Sequence, residues 1–193
     1  MNKSFILASQ SPQRIKLLEQ IGFVPEKIEP ANINESPLRG EKPSQYVKRM
    51  AKEKAEYVFK KNNGMVVLAS DTVIVCGTEI IQKSKSDEDQ VNVMKKLSGK
   101  THKVLTSVCV IDSVGKISLK VNTTKIKMKR LTDKEILDYV SSKEWFGCAG
   151  YKIEGLLGGF VIQMVGSYSG VVGLPLFEAR NLLIGAGVSL NDR

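Results

Sequence analysis

An apolar run from Lys3 to Ala8 reaches Ser9-Gln10-Ser11 and then Pro12, and this junction constrains the fold more than any other feature of the chain. Proline suits the first position of a helix, where its missing N–H is not needed and its fixed φ is already helical. The chain therefore opens as strand, serine loop and helix, the helix running to Ile21 and stopped by Gly22. A strand-like piece near Pro25 to Pro30 follows, then a polar loop, and Pro43 begins a long amphipathic helix through about Lys60, closed by Asn63-Gly64.

The middle of the chain reads as sheet. Met65 to Ala69 is an apolar run ending at Ser70-Asp71-Thr72, and Val73 to Cys76 with Glu79 to Gln82 flank Gly77-Thr78, which suits a tight hairpin. A helix over Ser86 to Leu97 stops at Gly99, and Lys103 to Ile111 with Lys116 to Met128 read as two strands. Thr132 to Glu135 has the pattern of a capping box and starts another helix. Eight glycines lie at 147, 150, 155, 158, 159, 166, 170 and 173, among too many apolar residues for a flexible linker, so packed loops are expected there. A last helix runs from Leu176 to about Ile184. The expectation is an α/β chain with a mixed sheet, 1–193 forming one domain, since single domains commonly hold roughly 100–200 residues.

Composition narrows the chemistry. The three cysteines, Cys76, Cys109 and Cys148, form no C-x-x-C pair and leave an odd thiol in any disulfide scheme, which points to a reducing, cytoplasmic setting. A single histidine, His102, rules out a His-x-x-x-His zinc site and most Ser-His-Asp or Cys-His schemes unless His102 itself serves. The N-terminal apolar run is too short for a membrane span and resembles no signal cleavage site, so no membrane partner is expected. Lys and Arg exceed Asp and Glu by 29 − 20 = 9, which favours anionic partners. Only 6 of the 29 cations are arginine, the commonest base-reading residue, so nucleic acid is an unfavoured partner.

Several residues stand out against that background. Ser11, Pro12, Gln13 and Arg14 fill the first positions of the opening helix, where the helix dipole prefers an acid and not Arg14. The conflict disappears if an anion sits there, held by free N–H groups, the Ser9 and Ser11 hydroxyls and Arg14, as in a phosphate cradle; a solvated arginine beside an ordinary serine cap is the alternative. Lys54 falls at the centre of the apolar stripe of the second long helix, and must snorkel or meet an anion, because an unpaired buried charge costs about 3 kcal/mol or more. Asp71 is placed at the end of an apolar strand, where open α/β sheets present groups to a crevice. Glu35 is a candidate to join it, two carboxylates forming a Mg²⁺ site or one acting as general base.

Familiar phosphate motifs are missing. Ser98-Gly99-Lys100-Thr101 mimics the end of a P-loop, but Met94 stands where the first glycine belongs, and no G-x-G-x-x-G follows a strand. The run Lys116, Lys120, Lys125, Lys127, Lys129 and Arg130 is expected to give one cationic strand face, solvated in preference to a nucleic-acid track.

Taken together, the residues resemble the Maf family of nucleoside triphosphate pyrophosphatases. The resemblance rests on Ile6 to Pro12, Tyr46 to Ala55 with Glu53-Lys54-Ala55, Ser70-Asp71-Thr72-Val73, Leu97 to His102, and Gly166-Ser167-Tyr168 through Val172 to Pro175. It implies an elongated mixed sheet flanked by helices, two lobes with a central cleft in the Maf and ITPase manner, and a homodimer. The implied reaction is hydrolysis of a nucleoside triphosphate between the α and β phosphates, yielding a monophosphate and pyrophosphate with a divalent metal, Mg²⁺ or Mn²⁺, in nucleotide-pool house-cleaning. Ser9, Ser11, Arg14, Lys54 and Lys83 would hold phosphates, and Asp71 would accept the proton or organise the metal, with Glu35 in the metal shell.

Three positions depart from the family pattern: Gln13 replaces arginine or tryptophan, Ser84 replaces proline after Lys83, and Glu154 stands where the dTTP- and UTP-associated branch has glutamine. A carboxylate only accepts hydrogen bonds, whereas an amide can also donate. Glu154 resembles the branch that prefers 7-methyl-GTP, while Thr72 and Gly166-Ser167-Tyr168 resemble the pyrimidine branch. The expectation is dTTP and UTP. The alternatives are the 7-methyl-GTP activity, or a non-catalytic nucleotide- or nucleic-acid-binding protein in cell-division control.

Overall fold

The opening junction forms as expected in a computed structural model that describes residues 3–190. Strand β1 (Phe5–Leu7) is fully buried, Ser11 is extended at the N-cap, and Pro12 starts helix α1 (Pro12–Gln20). The chain continues through β2 (Lys27–Ile28), α2 (Pro43–Lys61), β3 (Val66–Cys76), β4 (Glu79–Ile81), α3 (Asp87–Leu97), β5 (Thr101–Ile111) and β6 (Ile117–Met128). It ends in α4 (Asp133–Ser141), β7 (Val161–Val165), α5 (Tyr168–Val172) and α6 (Leu176–Gly185). Local chemistry explains the helix ends: Ser86 caps α3 above Asp87, Glu88 and Asp89, and Thr132 with Glu135 closes the capping box of α4.

The strands form one mixed sheet in the order β2-β1-β3-β5-β6-β7, with β1 parallel to β3 and the β3–β5–β6–β7 run antiparallel. One edge of β3 is covered by β5 from Val67↔Ile111 to Val75↔Lys103. Its other edge is shared: β1 pairs with it up to Leu7↔Leu68, and β4 begins at Ile74↔Ile81. Between those two partners, residues 69–73 have no strand beside them on that side.

Side-chain alternation then divides the core. On one face Val67 and Ala69 pack with Ala51, Ala55 and Val58 of α2, and Val73 and Val75 pack with Tyr46, Val47 and Met50 of the same helix. On the other face Val66 and Leu68 belong to a cluster with α1 and α6, whereas Ile74 belongs to a separate one with α3, α4, Trp145 and Tyr151. The polar stretch Ser70-Asp71-Thr72 lies at the seam between apolar clusters on both faces. The sheet is thus flanked by helices in two groups, and a cleft separates them.

Three local expectations need correction. Asp71 does not end a strand: β3 runs through it because Asp71 and Thr72 pair with Ser107 and Thr106 of β5, so ladder hydrogen bonds override the polar side chains. The glycine-rich segment is not all loop, since its apolar stretch adds β7 to the edge of β6 and the Ser167 hydroxyl caps α5. The lysines near β6 do not share one face. Lys125 and Lys127 alternate with buried Thr124, Ile126 and Met128, but Lys120 has the opposite parity, and Lys129 is paired with Glu135 at 2.6 Å.

Candidate active site

Asp71 faces α2 and Thr72 faces the opposite side of the sheet, yet both line one cleft, because the unpartnered stretch of β3 opens its edge to that cleft from both faces. The cleft encloses about 980 Å³. Its walls include the residues expected to hold phosphates or metal or to select the base: Ser9, Ser11, Gln13 and Arg14 from the β1–α1 turn, Glu35 and Lys54 from the α2 side, Asp71 and Thr72 from β3, and Lys83 and Glu154 on the far wall.

At its centre Lys54 Nζ contacts Asp71 Oδ1 at 2.7 Å and Glu35 Oε1 at 3.0 Å. Lys54 is 9% exposed and Asp71 6%, whereas the Glu35 side chain is 44% exposed. The lysine on the apolar stripe therefore meets an anion, as the cost of an isolated buried charge requires. Burial raises the Asp71 carboxyl above the ordinary aspartate range, the charges of Lys54 and Arg14 pull it down, and Glu35 adds to the rise.

The β1–α1 turn presents donors. Ser11 makes no side-chain cap to its helix, and its hydroxyl instead donates to Gln13 Oε1 at 3.2 Å. The start of α1 therefore leaves backbone N–H groups without a side-chain acceptor, an arrangement that suits an external anion. Arg14 donates from Nε to the Gly173 carbonyl at 2.8 Å and from Nη1 to Ser9 Oγ at 3.1 Å. Ser70 Oγ donates to the same Gly173 carbonyl at 2.9 Å, so β3, α1 and the α5–α6 junction are tied at one oxygen. Burial lowers the Arg14 pKa, and the charges of Asp71 and Glu35 oppose that fall.

The opposite face of the seam is polar too. Thr106 Oγ1 donates to the Gly170 carbonyl at 2.7 Å and lies 3.1 Å from Thr72 Oγ1, joining Thr72 to α5. Thr124 Oγ1 accepts from the Ser167 N–H at 2.9 Å, which fixes the Gly166-Ser167 turn against β6. On the far wall Lys83 and Glu154 are both exposed, and both act electrostatically on the Cys148 thiol, which burial raises.

Sequence reading missed Lys85 and Lys152, which also line the cleft and bring its cations to five (Arg14, Lys54, Lys83, Lys85, Lys152) against three acids (Glu35, Asp71, Glu154). For Lys152 a signal existed, a cation between the apolar Tyr151 and Ile153 in a segment whose neighbours are buried. His102 does not line the cleft. It is 1% exposed, its Nε2 is 2.6 Å from Tyr151 Oη, and burial lowers its pKa to about 4.

Among the described residues no group of three or more His, Cys, Asp or Glu could hold a metal. Glu35 and Asp71 nevertheless converge on one point, Lys54 Nζ. Two carboxylates fit Mg²⁺ or Mn²⁺ delivered with a polyphosphate, since such ions take one or two carboxylates and complete their shell from phosphate and water.

The chain is similar to known proteins along nearly its whole length. A protein named dTTP/UTP pyrophosphatase from Caulobacter vibrioides is 45% identical over 185 residues, covering 95% of this chain and 96% of that protein. One of the same name from Mesorhizobium japonicum is 43% identical over 197 residues, covering 98% and 95%. Among solved structures, a HAM1 protein from Coxiella burnetii superposes with a TM-score of 0.45 at 15% identity, over 67% of this chain and 74% of that one. The family model described as Maf-like protein matches residues 4–186, and the chain therefore belongs to the Maf-like protein family.

Proposed function

We propose that this chain is a nucleoside triphosphate pyrophosphatase that hydrolyses the α–β phosphate bond of dTTP and UTP, in nucleotide-pool house-cleaning. The observation that carries the reading is a buried carboxylate, Asp71, set against Lys54 in a cleft whose walls are rich in cations. The names of the two relatives above support the choice of substrate.

In this mechanism Arg14, Lys54, Lys83 and the Ser9 and Ser11 hydroxyls hold the triphosphate, with the open end of α1 beneath it. Asp71 accepts a proton from water, the water oxygen bonds to the α-phosphorus, and the bond from that phosphorus to the α–β bridging oxygen breaks to release pyrophosphate. The raised pKa of Asp71 makes it a stronger base than an exposed aspartate, while the charge of Lys54 favours its ionised form. Glu35 and Asp71 would hold the divalent cation, which supplies charge neutralisation on the phosphates when bound. Gln13, Thr72 and Glu154 are assigned to substrate selection.

The same reading takes 1–193 as one domain, acting as a homodimer in the cytoplasm. The three free cysteines are consistent with a reducing compartment, and among the described residues no helix is long and apolar enough to cross a membrane. Glu154 at the cleft wall favours one second reading, a preference for 7-methyl-GTP, whose charged base suits an acidic partner.

Product analysis tests the proposal. Purified protein with dTTP, UTP, CTP, GTP and 7-methyl-GTP in Mg²⁺ or Mn²⁺ should yield monophosphate and pyrophosphate, fastest with dTTP and UTP. Orthophosphate as the product, or no cleavage of any nucleotide by folded protein, would sink it.

A further inference from the structure

Glu35 sits in the long connection between β2 and α2, which has no strand or helix of its own from residue 29 to 42. Such connections are uncommon in compact folds and are usually functional. Here the connection is fastened to α2 by two residues one turn apart. Tyr46, only 7% exposed, donates its O–H to the Glu35 backbone carbonyl at 2.8 Å. Arg49 donates from Nη2 to the Ser36 carbonyl at 3.1 Å and grips the Glu41 carboxylate through Nε and Nη2, both at 2.7 Å. Glu41 in turn accepts the Leu38 N–H at 3.0 Å, and Asn34 Oδ1 accepts the Ser36 N–H at 2.9 Å. The Arg49 guanidinium lies 5.6 Å from the centre of the Tyr46 ring, so the two fasteners brace each other.

All these bonds hold backbone or Glu41. None of them restrains the Glu35 carboxylate, which pairs with Lys54 at 3.0 Å and is 44% exposed. Backbone fixed and side chain exchangeable is the condition a carboxylate needs if it is to leave a lysine for a cation without the loop moving. Arg49 holds the Glu41 carboxyl down to about 2, so their ion pair persists at any ordinary assay pH.

We infer that Tyr46 and Arg49 are positioning residues that hold the Glu35 backbone, so that its carboxylate passes from Lys54 to the divalent cation when a metal–triphosphate complex enters the cleft. This rests on the pyrophosphatase reading and on the assignment of Glu35 to the metal.

The test compares wild type, Tyr46→Phe, Arg49→Lys and Glu35→Gln. Tyr46→Phe keeps the buried ring and removes one hydroxyl; Arg49→Lys keeps the charge and removes the fork. Mn²⁺ binding is followed by electron paramagnetic resonance with a non-hydrolysable α,β-imido analogue of dUTP, and kcat is measured separately at saturating Mn²⁺ with dTTP. Outer partners of metal ligands typically change metal affinity by roughly 10–100-fold. Both positioning variants should weaken Mn²⁺ binding about tenfold while kcat at saturating metal stays within about threefold of wild type. Mn²⁺ binding unchanged in Tyr46→Phe and Arg49→Lys but weakened in Glu35→Gln overturns the positioning role alone. Binding unchanged in Glu35→Gln as well overturns the metal assignment. Wild type that releases no pyrophosphate fails the underlying reading instead.

Discussion

Lys54 Nζ lies 2.7 Å from Asp71 Oδ1 in an interface where the two side chains are 11% and 9% exposed. Burial raises the Asp71 pKa and the Lys54 charge opposes the rise, so removing the lysine must raise it further. The acidic limb of kcat/KM should therefore lie above the ordinary aspartate value of about 3.9 and move to still higher pH in Lys54→Met. A pH–rate profile of both proteins checks this, and a limb that stays put or moves down would show that Asp71 is not the group titrating.

Asp71→Asn should lower turnover by about 10²–10⁴, the usual worth of a general base. Its melting temperature should stay within a few degrees of wild type, because the amide keeps the shape and Glu35 at 3.0 Å still pairs with Lys54. Full activity in the folded variant is the result that removes Asp71 from the mechanism.

At the far wall, Glu154→Gln replaces an acceptor with a group that can both accept from a pyrimidine N3–H and donate to its O4. One added hydrogen bond is worth about 1 kcal/mol, so kcat/KM for dTTP and UTP should rise about fivefold to tenfold relative to 7-methyl-GTP. An unchanged ratio would place the base elsewhere in the cleft.

Because His102 is the single histidine, its ring signal can be followed by NMR without overlap. Burial lowers its folded pKa to about 4, below the unfolded value of about 6.5. Between those values the unfolded chain binds a proton that the folded chain does not, so stability is fully present above pH 6.5 and falls as the pH drops towards 4. The loss is on the order of 3 kcal/mol. Urea unfolding at pH 7 and pH 4 should show a smaller loss in His102→Gln than in wild type, and a ring signal titrating near 6.5 would contradict the account.

Gly166 has φ +137°, and a Cβ there would stand 2.5 Å from Thr124 Oγ1 and 2.8 Å from Thr124 Cα. Backbone cannot yield as a flexible side chain would, so Gly166→Ala should cost about 2 kcal/mol or more. That corresponds to a fall of roughly 5 °C in Tm for a chain of this size. A thermal melt within 1 °C of wild type would refute it.

Much of this was legible in the sequence where local chemistry decides the outcome. Pro12, the Gly77-Thr78 hairpin and the Thr132–Glu135 capping box act within a few residues, and each formed where expected. Lys54 was legible as an anomaly, a cation on an apolar stripe, although its two partners were not. The rest depends on distant pairing. Nothing near Asp71 announces that β5 carries the strand through it, and nothing near Val161–Val165 announces that β6 will take another strand. The Tyr46 bond to Glu35 likewise joins residues whose spacing, eleven along an irregular chain, follows no period.

The uncovered stretch of β3 also determines which changes of chain length the protein can absorb. Strand faces alternate with every residue, so deleting one residue between Leu68 and Ile74 would put these two on opposite faces of the sheet and disrupt the core beside β1 or β4. The polar connection after β2 has no such parity, and its bonds to Tyr46 and Arg49 begin only at residue 35. Descendants of this sequence can therefore change length on the approach to Glu35, where only Ala31 and Ile33 pack on the core, more readily than across the β3 opening.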